Sequence, residues 1–279
     1  MKLNISSPVV TVEWLHKNID AENLVLLDAT IKKVGSFEES SEKVQISGAI
    51  NFDLKGVFLN KEGEFPNTVP TSEHFEKEVQ RLGINNDSCV IIYDDLGVYS
   101  SPRAWFLFRL FGFTNVAVLN GGLPKWKGNG YKVVQPNEMN LNKGNFEIKE
   151  TSGKVVDFNV VLENINSQEF CVADARSNDR FLAKVPEPRK DLKGGHIPNS
   201  LSLPYTEVQH NGEMKSQDEL QQIFNSINTN SKNYIFTCGS GITACILALA
   251  LEITGNTNYS VYDGSWTEWA SIPNLPIEQ

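Results

Sequence analysis

Apolar residues fall along this chain in two rhythms. Short continuous apolar runs at 24–29, 90–93, 116–119, 170–173, 234–237 and 259–262 have the length of buried strands. Between them lie helix-like segments at 11–19, 71–82, 101–111, 157–166, 217–227 and 243–253. Strand–helix alternation predicts an α/β protein, with parallel sheets flanked by helices on both faces.

The pattern also repeats. Leu26-Leu27-Asp28-Ala29-Thr30 matches Cys171-Val172-Ala173-Asp174-Ala175-Arg176 through its acidic strand end, and Asp28 and Asp174 are 146 positions apart. Asn120-Gly121-Gly122-Leu123-Pro124-Lys125-Trp126 matches Asp263-Gly264-Ser265-Trp266-Thr267-Glu268-Trp269, with Trp126 and Trp269 143 apart. A length of 279 residues fits two domains of ordinary size. The reading is therefore a tandem duplication: a first domain at 1–135, a polar linker at 136–153, and a second domain at 154–279.

Charge and cysteine content narrow the chemistry. Lys and Arg number 25 against 34 Asp and Glu, a net charge of -9. That balance argues against a polyanion partner such as nucleic acid or an anionic membrane surface, yet leaves room for a local basic pocket. No apolar run reaches membrane-span length, and the first residues lack an apolar signal core. Cys89, Cys171, Cys238 and Cys245 form neither a CxxC pair nor a zinc pattern, which reads as a reduced, cytoplasmic protein.

One segment carries chemistry. In Phe236-Thr237-Cys238-Gly239-Ser240-Gly241-Ile242-Thr243-Ala244 an apolar strand ends at a cysteine, a glycine-rich turn follows, and an apolar helix begins at Thr243. Unpaired N–H groups at a helix start favour negative charge, hence the nucleophilic thiolate. Gly239 and Gly241 let the backbone curl into a nest of donors, Thr243 is a natural N-cap, and Ser240 presents a hydroxyl. A buried structural cysteine would not need this turn. A cysteine phosphatase would need an arginine where Ala244 stands. A dinucleotide site is a fairer rival, since Gly239-x-Gly241-x-x-Ala244 follows a strand and Asp263 ends the next one. The pattern lies late in its domain, however, and the matching stretch 93–102 has no Gly-x-Gly. Sulfur transfer by an activated thiolate is the third reading.

The loop Cys238-Gly239-Ser240-Gly241-Ile242-Thr243 resembles the active-site loop of the 3-mercaptopyruvate sulfurtransferases, in the two-domain rhodanese superfamily. Gly195-His196-Ile197-Pro198, Tyr262-Asp263-Gly264-Ser265-Trp266, Ser101-Pro102-Arg103-Ala104-Trp105 and Gly121-Gly122-Leu123-Pro124-Lys125-Trp126 look like further landmarks, so the likeness spans nearly the whole chain. It implies two rhodanese-like domains, with Cys238 carrying a persulfide and Ser240 assisting. Sulfur would pass from 3-mercaptopyruvate to a thiol acceptor such as thioredoxin, or to cyanide, with release of pyruvate. No metal or organic cofactor is implied. Family members that use thiosulfate usually carry basic residues in this loop, whereas here Gly239, Ser240, Gly241, Ile242 and Thr243 are uncharged. The resemblance maps the substrate-binding arginines onto Arg180 and Arg189, whose guanidinium forks suit a carboxylate.

The chain departs from the family in one place. Many members set a His and an Asp beside the loop serine. Here those slots fall on Asn67 and near Lys55, so a Ser-His-Asp relay is not carried over. Asn67 is kept as a hydrogen-bond donor to the substrate or to Ser240. Asp94 replaces Cys238 in the first copy, which is expected to be inactive. Arg176, beside Asp174, reads as structural, His196 as a turn residue, His74 as a solvated helix residue, and Cys89, Cys171 and Cys245 as core. Two alternatives stand beside the main reading: a thiosulfate sulfurtransferase, and a catalytically silent rhodanese-like binding module.

Overall fold

A computed structural model describes residues 2–32, 43–137, 139–149, 153–228, 230 and 232–279. The chain divides into two compact units. The first comprises Met1–Asn60, Val69–Ser152 and Asn211–Met214; the second comprises Lys61–Thr68, Gly153–His210 and Lys215–Gln279.

Each unit is built on a five-stranded, wholly parallel sheet. In the first, the strands lie side by side as Val9–Val10, Val116–Leu119, Cys89–Tyr93, Leu24–Asp28 and Ile50–Asn51. In the second they run Val155–Val156, Tyr259–Tyr262, Asn233–Thr237, Phe170–Asp174 and Leu201–Ser202. Counted along its own stretch of chain, each sheet has the order first, fifth, fourth, second, third. The duplication read from short matches is thus a duplication of topology.

The central strands read as unbroken apolar runs because helices cover both their faces; all five residues of Cys89–Tyr93 are buried. The helix Ala244–Ile253 is apolar all round for the same reason, with every residue but Ile253 buried. Its one acid, Glu252, is held by Lys154 Nζ at 3.2 Å and by the Tyr259 hydroxyl at 2.8 Å. More exposed helices start on side-chain caps: Thr71 for Ser72–Arg81, Asp157 for Phe158–Ser167, and Ser216 for Gln217–Ile227. Phe75, Phe108, Phe113 and Phe146 form an aromatic cluster inside the first unit. Phe146 falls within the stretch read as linker. Its amide bonds the Ile84 carbonyl at 3.1 Å and its ring is fully buried, so this part of the stretch runs along the first unit. Residues 138 and 150–152 of that stretch lie outside the described residues.

Candidate active site

In a parallel α/β sheet, ligand chemistry collects beyond the carboxyl ends of the strands. The central strand of the second sheet, Asn233–Thr237, delivers Cys238 there, and the flanking strands end at Asp174 and Tyr262. Cys238 is 2% exposed.

The loop after Cys238 is shaped from two directions. Gly241 takes φ +78°, a conformation that costs an L side chain strain, and this reverses the chain into the helix. From the other side the short helix Ser265–Ser271 grips the loop backbone. Trp266 N donates to the Cys238 carbonyl at 2.9 Å, and Thr267 N to the Gly239 carbonyl at 3.0 Å. The Thr267 hydroxyl adds a 2.6 Å bond to the same Gly239 carbonyl. Ser265, wholly buried, accepts from the amides of Cys238 and Gly241 at 3.2 Å each. Its single proton goes to the Tyr262 carbonyl at 2.8 Å, so its approach to Cys238 Sγ at 3.9 Å is a contact and not a second donation. Two of the loop amides therefore serve the serine and not the sulfur. The amides of Gly239, Ser240, Ile242 and Thr243 have no acceptor among the described residues.

Thr243 stands at the cap position, but its backbone is already helical and its side chain makes no capping bond. The expected hydroxyl cap is thus absent, and the helix begins one residue later, at Ala244. The Gly-x-Gly does not open the first strand–helix turn of its sheet, the place a dinucleotide would require.

The positive charge comes from a neighbouring segment. Arg180, on the turn Asn178–Phe181, reaches the loop: a side chain added at Gly239 would meet Arg180 Nη2 at 3.1 Å. Arg180 is also tied to Glu187, with Nη2 at 2.5 Å and Nε at 3.2 Å. Arg176 Nη1 donates to the same carboxylate at 3.1 Å, while its Nε and Nη2 hold Asp174 and its plane lies 4.3 Å from the Trp266 ring. Arg176 is structural, as its sequence context indicates. Arg189 Nη1 donates to the Thr267 hydroxyl at 2.9 Å, next to the Gly239 carbonyl, and no carboxylate lies within ion-pair distance of it among the described residues. Burial first, and the like charge of Arg180 second, push the Arg189 guanidinium below its usual value, while Cys238 and Glu187 act the other way. Three guanidinium groups against the carboxylates of Asp174 and Glu187 leave this cluster one positive charge in excess, and the excess sits at Arg189.

Asn67 belongs to the second unit by its packing and lies against the loop. Its Nδ2 donates to the Ser240 carbonyl and to Ser240 Oγ, both at 2.9 Å. Its backbone has φ +66°, a region in which Asn and His are enriched among non-glycine residues. Lys55 is exposed on a turn closed by Asp53, which accepts from the amides of Lys55 and Gly56.

The remaining candidates are structural. His196 Nδ1 bonds the Phe181 carbonyl at 2.9 Å and its ring stacks on Phe181. His74, expected to be solvated, instead packs its Nε2 on the Val57 carbonyl at 2.7 Å. Cys245 Sγ lies 3.3 Å from the Gly241 carbonyl. Burial raises the Cys171 thiol and pushes the Cys89 thiol to about 11, which disfavours the thiolate at both. In the first unit, Asp94 fills the place of Cys238. One carboxylate oxygen takes the amides of Tyr99, Ser100 and Ser101 and the Ser101 hydroxyl, at 2.6–3.0 Å. That loop is an anion cradle occupied by its own side chain. Ser265, Thr267 and Glu187 are the site residues that motif reading passed over; the repeat match through Gly264-Ser265-Trp266 pointed toward the first two.

The Rhodanese-like domain family model matches this sequence twice, at residues 11–129 and 157–272. A "Thiosulfate/3-mercaptopyruvate sulfurtransferase 2" from Arabidopsis thaliana is 35% identical, over 99% of this chain and 87% of its own. The 3-mercaptopyruvate sulfurtransferase of Escherichia coli K12 is 34% identical, over 96% of this chain and 97% of its own. Among solved structures, SseA from Escherichia coli, described with the fold and mechanism of 3-mercaptopyruvate sulfotransferases, superposes with a TM-score of 0.83. It has 32% identity and covers 94% of this chain and 99% of its own.

Proposed function

The chain belongs to the rhodanese-like domain family, and on that premise we propose that it is a sulfurtransferase taking sulfur from 3-mercaptopyruvate through a persulfide on Cys238. The observation that carries the donor assignment is the charge layout. The loop around Cys238 has no cation of its own, and the excess positive charge lies at Arg189, with Arg180 beside it. A dianion such as thiosulfate would call for charge around the sulfur itself. An α-keto acid needs a carboxylate anchor a few ångströms from a neutral sulfur-handling pocket, and guanidinium forks supply that anchor.

The reaction proceeds in two half-steps. The Cys238 thiolate attacks the substrate sulfur, the S–S bond forms, and the carbon–sulfur bond breaks with its electron pair on carbon. Pyruvate leaves as an enolate and takes up the proton that the substrate thiol releases. The loop amides of Gly239, Ser240, Ile242 and Thr243 stabilise the persulfide anion. A thiol acceptor, with thioredoxin proposed as the partner, then removes the outer sulfur. All four cysteines are free, in keeping with a reducing compartment, for which the cytoplasm is proposed. No helix among the described residues is long and apolar enough to cross a membrane.

The test is a steady-state comparison of donors at one acceptor concentration. The reading expects kcat/KM for 3-mercaptopyruvate to exceed that for thiosulfate by at least about tenfold, the discrimination one well-placed ion pair supplies. A preference for thiosulfate would overturn the charge argument and favour the thiosulfate reading. No turnover of either donor would leave only a binding module.

A further inference from the structure

Ser240 carries a proton with nowhere to go. Asn67 bonds both the carbonyl and the hydroxyl of Ser240 through one side-chain atom, at 2.9 Å each. A carbonyl oxygen only accepts, so the Asn67 atom facing it is the amide nitrogen, and the amide orientation is fixed. The same nitrogen faces Ser240 Oγ, which must therefore accept on that side. Its own O–H is turned elsewhere, and no group among the described residues accepts it. Ser240 is only 7% exposed and lies two residues beyond Cys238. A buried donor without an acceptor is costly, and the cost is recovered when a ligand oxygen arrives.

We propose that Asn67 is a positioning residue that locks the Ser240 hydroxyl as a hydrogen-bond donor to the keto oxygen of the substrate. The proposal rests on the 3-mercaptopyruvate reading. When the carbon–sulfur bond breaks, its electron pair moves onto carbon and is delocalised onto that oxygen as an enolate. Ser240 stabilises the developing charge by donation and keeps its proton, while carbon takes the proton released by the substrate thiol. Atoms and charge balance with no acid or base residue at the serine. An imidazole in this position could exchange protons with the serine, whereas an amide can only orient it. Asn67 thus substitutes fixed geometry for proton transfer, and its αL backbone, φ +66°, is one that asparagine adopts readily.

The experiment is a double-mutant cycle on pyruvate release, with Asn67→Ala, Ser240→Ala and the double variant. Ser240→Ala is expected to lower kcat on the order of a hundredfold, with KM changed less than about threefold, because the arginines still hold the carboxylate. Asn67→Ala should lower kcat about tenfold, since a freely rotating hydroxyl still reaches the oxygen part of the time. The double variant should be no slower than Ser240→Ala alone. If the two losses multiply, Asn67 acts through the Ser240 carbonyl and merely shapes the loop, and the proposal is wrong. Alanine at φ +66° is strained, so Asn67→Gly provides a relaxed control; it should show the same kcat defect with wild-type unfolding behaviour. Wild-type kcat in Asn67→Gly would equally refute the proposal. A wild-type protein that releases no pyruvate sinks the donor reading itself, a result distinct from multiplying losses.

Discussion

Ser265 stands where the first copy has Gly122, and both residues are left-handed, at φ +51° and +52°. Glycine is forced in the first copy, where a side chain would strike the Asp94 and Gly97 carbonyls at 2.4 Å. The second copy accepts the strain because the Ser265 hydroxyl binds two loop amides. Ser265→Ala should therefore destabilise the second unit by about 2–4 kcal/mol, the cost of leaving two buried donors unsatisfied, as read by urea unfolding. Glu187 works at the same scale. It holds two arginines while 7% exposed, so Glu187→Gln should weaken folding by about 2–3 kcal/mol and raise KM for the donor by freeing Arg180. Arg189→Ala should raise KM on the order of tenfold with little loss of stability, since Arg189 has no ion-pair partner to strand among the described residues. Cys238 and its glycines were legible because strand, turn and helix are contiguous there. The repeat match pointed toward Ser265 and Thr267 but not to what they do, because they reach the loop across 27 and 28 residues of chain and their contacts form only when the sheet closes.

At the scale of elements, the central strands and long helices were readable to within a residue or so because burial on both faces, or on one stripe, writes a period into the sequence. The edge strands Val9–Val10, Ile50–Asn51, Leu201–Ser202 and Val155–Val156 were not, since two residues carry no period and pairing is imposed by the neighbouring strand. The short helices Gly122–Gly128 and Ser265–Ser271 emerged as a repeated motif and not as a periodic pattern. The helix Gln217–Ile227 was read from its periodic pattern alone; the structure adds a reciprocal capping box formed by Ser216 and Glu219. Ser216→Ala should cost about 1 kcal/mol in thermal unfolding while leaving turnover at the wild-type rate.

The whole molecule is acidic, and part of that charge is buried where it opposes folding. In the first unit burial, followed by the charges of Asp94 and Asp28, pushes the Asp95 carboxyl up to about 6 from an ordinary 3.8. Burial raises Asp28 as well. As pH climbs from about 4, the unfolded chain loses these protons first, so the folded state holds more of them and its stability falls until Asp95 has ionised near 6. The first unit should thus be more stable at pH 5 than at pH 7.5. Asp95→Asn should remove most of that slope and add about 1–2 kcal/mol at neutral pH, a figure reduced for partial exposure. A pH series of unfolding curves with both proteins measures this directly. The two copies share one topology but are unequal in chemistry, for the cradle that Asp94 fills in the first is left open beside Cys238 in the second. On the proposed reading, that asymmetry confines the reaction to one thiol. Intact mass spectrometry after incubation with 3-mercaptopyruvate, with no acceptor present, tests it most directly. The wild-type chain should gain the mass of one sulfur atom, release one equivalent of pyruvate, and return to its starting mass on addition of cyanide, while Cys238→Ser gains nothing. An unmodified wild-type chain, or a sulfur that persists in Cys238→Ser, would contradict the account.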